Sequence, residues 1–464
     1  MTGSETSRVY TPPMPQARSA IVALLRAALK GDGDLLSLLP AEAYSMKVGP
    51  LGYSRRSILI VNAPELVRPI LTERADIFPK NDLMVGALEP LVGQSIFVSS
   101  GDSWRRQRRM IDPAFSLMRV NRAFASMEGA VDDYEQALDR SAADNEVFSL
   151  DRAMSHLTAD IICRTVFSTS LASQTAREVF DAFIEFERSV AQVEIKRLIL
   201  DPAWKTIAQP PKVLAACQRI RRHLGDLIDA HEAAGHGSVD DIASTVMAAR
   251  DGPDDHTGFD REELLDQLGV MFLAGHETTA SVLTWTFFML ATQPHVVARL
   301  RAEIEAVTEG GPIGFEHTRR LVFVRNVFRE ALRLYPPITF IPRVALERTT
   351  IGPYDVKRGA MIMISPWTIH RNAAWWPNPH VFDPDRFAPA REAALVPGAY
   401  LPFGLGPRVC VGAAFATTEA TLILARLVRR FDFTALAPDQ VRPVARLTTR
   451  PLAQIMCRVR RAGT

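Results

Sequence analysis

Cysteine is scarce in this sequence, which holds only four in 464 residues: Cys163, Cys217, Cys410 and Cys457. No two of them form a C-x-x-C pair, and their spacings suit neither a zinc site nor a disulfide framework. Because structural disulfides belong mainly to oxidising compartments, this usage favours a reducing, cytoplasmic setting.

The sequence also lacks a convincing membrane-spanning segment. The apolar run at residues 20–25 is followed by Arg26, so it is too short to span a bilayer and makes a poor signal peptide. Residues 267–291 are more apolar, but His276 and Glu277 lie near their middle, and each such group at a bilayer centre costs about 3 kcal/mol. We therefore expect no transmembrane anchor, and we interpret residues 267–291 as the buried central helix of a soluble protein.

Charge of one sign is not in excess. The 54 lysines and arginines are balanced by 52 acidic residues, giving a net charge of +2, so neither nucleic acid nor an acidic substrate is indicated. Hydrophobic residues make up 47% and charged residues 23%, which is ordinary for a globular protein. Length alone favours two domains, because single cores usually stop growing below this size.

Periodicity in the sequence predicts a mainly α fold with a minor β region. Residues 104–249 have the pattern of successive amphipathic helices, whereas residues 80–97, rich in turn formers, suggest a loop. Asp260 and Glu263 are spaced as a capping box and begin the long central helix. After the paired prolines at 336–337 the chain turns to short strands, until a last helix follows Cys410. Residues 1–18 are polar and are expected to be flexible.

The loop at residues 403–412 reads F-G-L-G-P-R-V-C-V-G and carries the strongest chemical signal. A cysteine thiolate can ligate iron and push electron density onto it, which favours cleavage of an O–O bond. Arg408 offers a guanidinium fork to a haem propionate, and Phe403 can cover the sulfur of Cys410. Three glycines permit sharp turns and close approach to a flat macrocycle: Gly404, Gly406 and Gly412.

The middle of the central helix reads A-G-H-E-T-T at residues 274–279. Gly275 weakens the helix, and the hydroxyl of Thr278 can bond back to the carbonyl of Ala274, which would open a groove for dioxygen and water. An acid beside an alcohol, here Glu277 beside Thr278, can relay protons. A polar patch with Glu277 in a salt bridge is the alternative. His276 suits packing or hydrogen bonding better than iron ligation.

At these two motifs the chain resembles the cytochrome P-450 superfamily, whose haem loop follows F-x-x-G-x-R-x-C-x-G and whose central helix carries A/G-G-x-D/E-T. All five fixed positions of the loop match, and the resemblance extends from about Tyr53 to the C-terminus. It implies one haem domain over residues 1–464, in place of two domains. It also implies haem b between the central helix and the cysteine-loop helix, with Cys410 as the axial ligand and Glu277 and Thr278 delivering protons.

The resemblance assigns further residues around the haem. Glu330 and Arg333 match the family's E-x-x-R. Arg386, in a P-D-R-F segment that has Asp385 where the family has Glu, would join them in a buried triad that braces the cysteine loop. The propionates would be bound by three side chains besides Arg408: Trp104, Arg108 and Arg343.

The substrate pocket that the resemblance implies is mostly apolar, which suits a hydrophobic substrate. Fatty acids, terpenoids, steroids and aromatic compounds all remain open. The pocket residues come from the loop before Trp104, the central helix, the segment after E-x-x-R and a C-terminal turn. They are Leu83, Met84, Val85, Leu88, Ile96, Phe97, Met271, Ala274, Gly275, Thr278, Ile338, Thr339, Phe340, Ile341, Leu447 and Thr448.

The sequence thus predicts a monomeric monooxygenase that inserts one oxygen atom from O2, most simply as a hydroxyl. The chain has no reductase segment, so NAD(P)H would act indirectly, through a ferredoxin or flavodoxin-type donor docked on the basic face near Arg105 and Arg106. Two alternatives stay open: a peroxide-driven or isomerising relative, and a haem-thiolate sensor without turnover. The pair Glu277 and Thr278 favours the monooxygenase.

Overall fold

The structure is a computed structural model that describes residues 10–16, 19, 22, 34–51, 57–190, 209–234, 240–250 and 258–463. Helices dominate these ranges. They are α1 Pro64–Leu71, α2 Asp82–Val92, α3 Gly101–Ile111, α4 Leu117–Ala143, α5 Leu150–Phe167, α6 Gln174–Val190, α7 Pro211–Ala234, α8 Ile242–Met247, α9 Arg261–Leu290, α10 Pro294–Thr308, α11 Phe315–Arg320, α12 Val322–Leu334, α13 Pro366–Ile369, α14 Pro389–Glu392 and α15 Ala413–Arg430.

The strands are short and form small sheets. They are β1 Val48–Leu51, β2 Ile58–Val61, β3 Phe148–Ser149, β4 Ile341–Val344, β5 Thr349–Ile351, β6 Tyr354–Val356, β7 Met361–Ile364, β8 Phe431–Ala435, β9 Pro443–Ala445, β10 Thr449–Pro451 and β11 Met456–Arg461. The largest sheet has the order β1-β2-β7-β4, in which only β2 and β7 run parallel. A second sheet has the order β3-β11-β8, and the pairs β5–β6 and β9–β10 are antiparallel. The predicted mainly α fold with a minor β region is confirmed.

Helix α9 is the centre of the molecule, and its sequence explains why. The predicted capping box is present, because the Asp260 side chain accepts from the N–H of Glu263 while Glu263 bonds back to the N–H of Asp260. Most of the helix is buried, and it packs against α2, α5, α7, α12 and α15. A Cβ on Gly275 would lie 2.4 Å from Cδ1 of Ile162 on α5. Glycine therefore sets the distance between these two helices.

The largest sheet forms a second, smaller core beside the helices. All four residues of β2 and of β7 are buried, so both faces of these strands are covered. Residues Val67, Ile70 and Leu71 of α1 pack on one face. Since β4 pairs with β7 at the edge of this sheet, the sheet fixes the position of Arg343.

Two details differ from the sequence-based expectations. Residues 80–97 contain helix α2 where a loop was predicted, because burial of Leu88, Leu91 and Val92 outweighs the helix-breaking tendency of Pro90. The last helix begins at Ala413, so Cys410 lies in the turn before it.

The N-terminal stretch expected to be flexible lies partly outside the described residues. Its described part, residues 10–16, contacts the core: the Tyr335 hydroxyl donates to the Pro13 carbonyl at 2.6 Å, and the Phe382 N–H donates to the Tyr10 carbonyl at 3.1 Å.

In the part of the chain that the structure describes, no helix has the length and apolarity needed to cross a membrane.

Candidate active site

A cavity separates helix α9 from the cysteine loop. One wall comes from α9 and the opposite wall from the loop, so the space has the shape that a flat macrocycle between two faces requires. The α9 wall consists of Met271, Ala274, Gly275, Thr278, Thr279 and Val282, and the loop wall includes Phe403, Gly404, Val409, Cys410, Val411 and Gly412.

Cys410 lines this cavity, to which its side chain is exposed. The turn is fixed by the Cys410 N–H, which donates to the Phe403 carbonyl at 2.9 Å. Burial raises the pKa of the Cys410 thiol, against the opposing effects of the Gly412 N–H and the positive charge of Arg108. The turn alone therefore does not make the thiolate stable, and a metal cation bound to the sulfur would supply the missing stabilisation.

Three cations lie at the rim of the cavity: Arg343, which is buried, and Lys80 and Arg408, which are partly buried. Lys80 forms a backbone bridge with Arg343, and its ammonium lies 3.6 Å from the centre of the Phe97 ring. Within the described residues, none of the three forms an ion pair with a carboxylate, and Nη1 of Arg408 is buried without a hydrogen-bond partner. Burial lowers the pKa of Arg343 and Arg408 to about 10. Burial, with Arg408 and Arg343 nearby, lowers that of Lys80 well below its usual value.

This arrangement fits haem. A cluster of buried cations without counter-ions calls for a ligand with two negative charges, and the two propionates of haem supply them. The described residues contain no group of three or more His, Cys, Asp or Glu side chains that could hold a metal ion by themselves. An iron held by Cys410 would have its other ligands from the macrocycle.

Two other predicted propionate contacts lie at the same rim. Trp104 lines the cavity, and the Arg408 guanidinium stacks 4.4 Å from the centre of its ring. Arg108 also lines the cavity, and it donates to the Val409 carbonyl at 2.7 Å while pairing with Asp112. Arg108 therefore also ties α3 to the cysteine loop.

The predicted triad forms a buried charged cluster. Arg333 donates from Nε and Nη2 to the two oxygens of Glu330, each at 2.7 Å, and Arg386 Nε donates to Glu330 at 3.1 Å. All three side chains are almost completely buried. Arg333 also donates to the carbonyls of His370, Pro379 and Val381. The cluster thus binds α12 to the irregular chain that leads to the cysteine loop.

His370, which was not singled out from the sequence, connects this cluster to the loop. Its Nδ1 bonds the Arg333 carbonyl at 3.2 Å, and its Nε2 accepts from the N–H of Leu401 at 2.8 Å. Burial, together with Arg333 and Arg371, lowers the pKa of His370 to about 3. The ring is therefore neutral and holds one proton, on Nδ1, which both bonds require.

The loop glycines differ in what they do. Gly404 and Gly406 both have φ of +77°, the left-handed region that favours glycine. A Cβ on Gly406 would lie 2.1 Å from the Leu71 carbonyl oxygen, whereas a Cβ on Gly404 would meet nothing within 4 Å. Gly412 has an ordinary φ and lines the cavity. Only Gly406 is required by packing within the chain itself.

The acid and the alcohol of α9 point in different directions. Thr278 lines the cavity and donates to the Ala274 carbonyl at 2.7 Å, the contact expected from the sequence. Glu277 is buried and bonds Thr448 and Arg450 near the C-terminus. His276 is buried in an aromatic cluster, with Nδ1 at 2.8 Å from the Phe272 carbonyl.

Most of the predicted substrate-pocket residues line the same cavity. They are Met84, Leu88, Ile96, Phe97, Met271, Ala274, Gly275, Thr278, Ile338, Thr339, Phe340, Ile341 and Leu447. Val85 packs against the main core, and the side chain of Leu83 lies outside the described atoms. Thr448 contacts Glu277 in place of the cavity.

Lys80 and Arg450 are functional candidates that the sequence reasoning missed. Lys80 is followed directly by Asn81 and Asp82, so no local pattern in the sequence marks it as a cation of the cavity rim. Arg450 lies two residues after the predicted pocket residue Thr448, but nothing local in the sequence indicates its partner Glu277.

Comparison with known proteins places the chain in a family. The family model for cytochrome P-450 matches residues 44–457. Cyclooctatin synthase of Streptomyces melanosporofaciens is 31% identical over 92% of this chain and 90% of its own length. Cyclooctat-9-en-7-ol 5-monooxygenase of the same organism is 33% identical over 86% of this chain and 84% of its own. The crystal structure of the cytochrome P450DA heme domain superposes with a TM-score of 0.82 at 23% identity, covering 98% of both chains.

Substitution of Gly406 by alanine should prevent haem loading, because the new Cβ would overlap the Leu71 carbonyl. Gly101→Ala is the matched control: Gly101 also has a positive φ, but it meets open space and does not line the cavity, so the variant should cost only the left-handed strain of about 1–2 kcal/mol. Haem content and thermal stability of both purified variants measure the difference. Wild-type haem content in Gly406→Ala would show that the loop does not need its close approach to α1.

Replacement of His370 should change how stability depends on pH. The unfolded histidine titrates at about 6.5 and the folded one at about 3, so the unfolded state binds more protons between these values. The free energy of unfolding should therefore fall as pH drops below about 6.5, by up to about 1.4 kcal/mol per pH unit from this group.

Denaturant unfolding of wild type and His370→Gln from about pH 7 to pH 5 measures this slope. The glutamine variant should be less stable at neutral pH and should show a shallower loss on acidification. His295→Gln, an exposed position on α10, controls for the removal of one histidine. Equal slopes in wild type and His370→Gln would mean that His370 is not held neutral.

Proposed function

The chain belongs to the cytochrome P-450 family and is a haem-dependent monooxygenase, and we propose that it hydroxylates a mainly hydrocarbon, cyclic and unsaturated substrate with electrons from a separate donor protein. The observation that carries this proposal is the cavity itself. It brings the Cys410 sulfur, the buried cations and an apolar wall into one enclosed space.

The substrate class follows from the wall and from the relatives. The cavity is lined largely by aliphatic and aromatic side chains, among them Met84, Leu88 and Phe340, which favour an apolar ligand. The relative that is 33% identical is named for an unsaturated alcohol, cyclooctat-9-en-7-ol. Pentalenene oxygenase of Streptomyces avermitilis, 28% identical over 91% of this chain, is named for an alkene. These two names support an alkene or alkenol as the substrate.

Some residues of the site are proposed to bind haem, and Thr278 is proposed to act on the opposite side of the cavity. We assign the propionates to Arg343, Arg408, Lys80 and Trp104 and the iron to Cys410. Bound haem supplies the chemistry that activates O2 and transfers one oxygen atom to the substrate. Thr278 lines the cavity on the opposite side from the cysteine, where its hydroxyl can orient water or dioxygen.

The electron donor is proposed to dock on the exposed face of α3. Arg105 is exposed there, and it is paired with Asp102 at 2.9 Å and Asp76 at 3.2 Å. Arg106 is partly buried in an ion pair with Glu263 at 2.7 Å, so it belongs more to the packing of α3 on α9 than to the surface. Steering of an acidic donor therefore depends more on Arg105 than on Arg106. The four free cysteines support a reducing compartment, as the cytoplasm is.

The first test of the proposed function is the visible spectrum of the purified, dithionite-reduced protein with carbon monoxide. Wild type should give the strongly red-shifted Soret band of a thiolate-ligated haem, and Cys410→His should lose it while retaining haem. Cys163→Ser is the matched control at a buried cysteine outside the cavity. A band at the ordinary position in fresh wild-type protein would contradict ligation by Cys410.

The docking face can be tested with Arg105→Glu. The variant should slow electron transfer from an acidic ferredoxin several-fold at low salt, with a weaker dependence on ionic strength, because long-range attraction is screened within about 10 Å at 0.1 M salt. Arg348→Glu, an exposed arginine that also pairs with an aspartate, is the control. If both variants behave alike, the donor does not depend on this face of α3.

A further inference from the structure

Arg446 is a cation of the cavity that lies outside the group assigned to the propionates. It lines the cavity from the turn that joins β9 to β10. At the rim, burial and the charges of Arg408 and Arg343 lower the pKa of Lys80. Arg446 does not contribute to that shift, so it stands apart from the three cations of the rim and needs a ligand of its own.

The guanidinium of Arg446 has no counter-charge among the residues that the structure describes, and its Nε is buried without a hydrogen-bond partner. An acid does lie at this hairpin, but it bonds the backbone. Oδ1 of Asp34 accepts from the N–H groups of Leu36 and Ala445, at 3.0 Å and 2.9 Å. A buried N–H without an acceptor is unfavourable, and an acceptor on a bound ligand would remove that penalty.

The turn that carries Arg446 is held in place on both sides. The Arg446 N–H donates to the Thr448 carbonyl at 3.1 Å, within the turn. Beyond it, the Thr449 carbonyl accepts from Ser281 at 2.7 Å and from Trp285 at 2.9 Å, both on α9. The bond to Asp34 holds the residue before the turn. The cation is thus presented from a fixed backbone, which lowers the entropy that a ligand loses on binding.

The chemistry of this position favours a carboxylate. A guanidinium offers Nε–H and Nη–H as a fork that matches the two oxygens of a carboxylate and carries the opposite single charge. A phosphate monoester carries a charge of about −1.5 to −2 at neutral pH, which one guanidinium would not balance. A hydroxyl can accept a hydrogen bond but leaves the positive charge without a partner. Leu447, Leu35 and Leu39 line the same cavity, so the rest of the ligand would be apolar.

We propose that Arg446 is a specificity-determining residue, which binds a carboxylate carried by an otherwise apolar substrate. The carboxylate accepts from Nε and Nη of the guanidinium, and this contact fixes one end of the substrate at the β9–β10 turn. The distance of each carbon from the carboxylate then decides which carbon faces the haem iron. The proposal rests on the apolar, cyclic substrate proposed above and adds one anionic group to it.

The test uses ligands that are held at the iron whatever the natural substrate is. An ω-(imidazol-1-yl)alkanoic acid ligates the iron of bound haem through its imidazole, and its chain carries a carboxylate into the cavity. A series of chain lengths is compared with the 1-alkylimidazoles and the ω-imidazolyl alcohols of the same lengths. The shift of the Soret band in the haem-loaded protein gives each dissociation constant, for wild type, Arg446→Gln and Arg446→Lys.

Wild type should prefer the acid over the alkylimidazole at the chain length that spans the distance from iron to Arg446. Arg446→Gln should reduce that preference by about tenfold or more, because hydrogen bonds to charged groups are worth at least that factor. Arg446→Lys keeps the charge without the fork and should retain part of the preference. Arg442→Gln is the matched control: Arg442 is exposed directly before β9 and bonds the Asp439 carbonyl, so this variant should bind all the ligands as wild type does.

The Arg446 side chain makes no hydrogen bond among the described residues, so its variants should keep the haem content and thermal stability of wild type. Arg446→Met replaces the glutamine variant if that variant does not load haem.

An acid preference that Arg446→Gln leaves unchanged, or no acid preference in wild type at any chain length, would overturn the role of Arg446. An equal loss of affinity for the alcohol and the acid would overturn the assignment of a carboxylate. Failure of the proposed function looks different: the 1-alkylimidazoles would not bind more tightly as their chains lengthen, or the carbon monoxide complex would lack its red-shifted band.

Discussion

The buried cluster of Glu330, Arg333 and Arg386 is the interaction on which the site depends. Its charges are out of contact with water, and each is matched by an opposite charge or a carbonyl. Removal of any one of the three side chains would leave a buried charge without its partner. From Arg333 the connection passes through His370 to Leu401, and the cysteine loop begins two residues later. The position of Cys410 relative to α9 is thus set from the far side of the loop by contacts that require neutral His370.

At the rim of the cavity, by contrast, three positive charges have no ion-pair partners among the described residues. Lys80, Arg343 and Arg408 lie close to one another in buried or partly buried positions, and the pKa of each is lowered by burial. Such a cluster opposes folding until an anion arrives, because like charges repel and each has lost part of its hydration. Haem binding and the stability of this region are therefore linked. The propionates would neutralise the cations of the rim, as Glu330 neutralises Arg333 and Arg386 in the triad.

What the sequence could predict depended on how local each contact is. The cysteine loop and the capping box of α9 are formed by residues only a few positions apart, so both can be recognised from the sequence alone. Helix α2 was not predicted from the sequence because Gly86 and Pro90 interrupt its pattern, and only its burial against neighbouring elements indicates a helix. The pairing of Arg450 with Glu277 joins positions 173 residues apart, and no local pattern encodes it.

This long-range pairing also explains the arrangement of α9. A helix that is buried on nearly all sides has no solvent to satisfy its polar side chains, so each must find a partner on a neighbouring element. Ser281 and Trp285 bond the Thr449 carbonyl, and Glu277 bonds Thr448 and Arg450, all on the same hairpin. The hairpin thus satisfies three polar side chains of α9, and its own turn, at Arg446 and Leu447, lines the cavity.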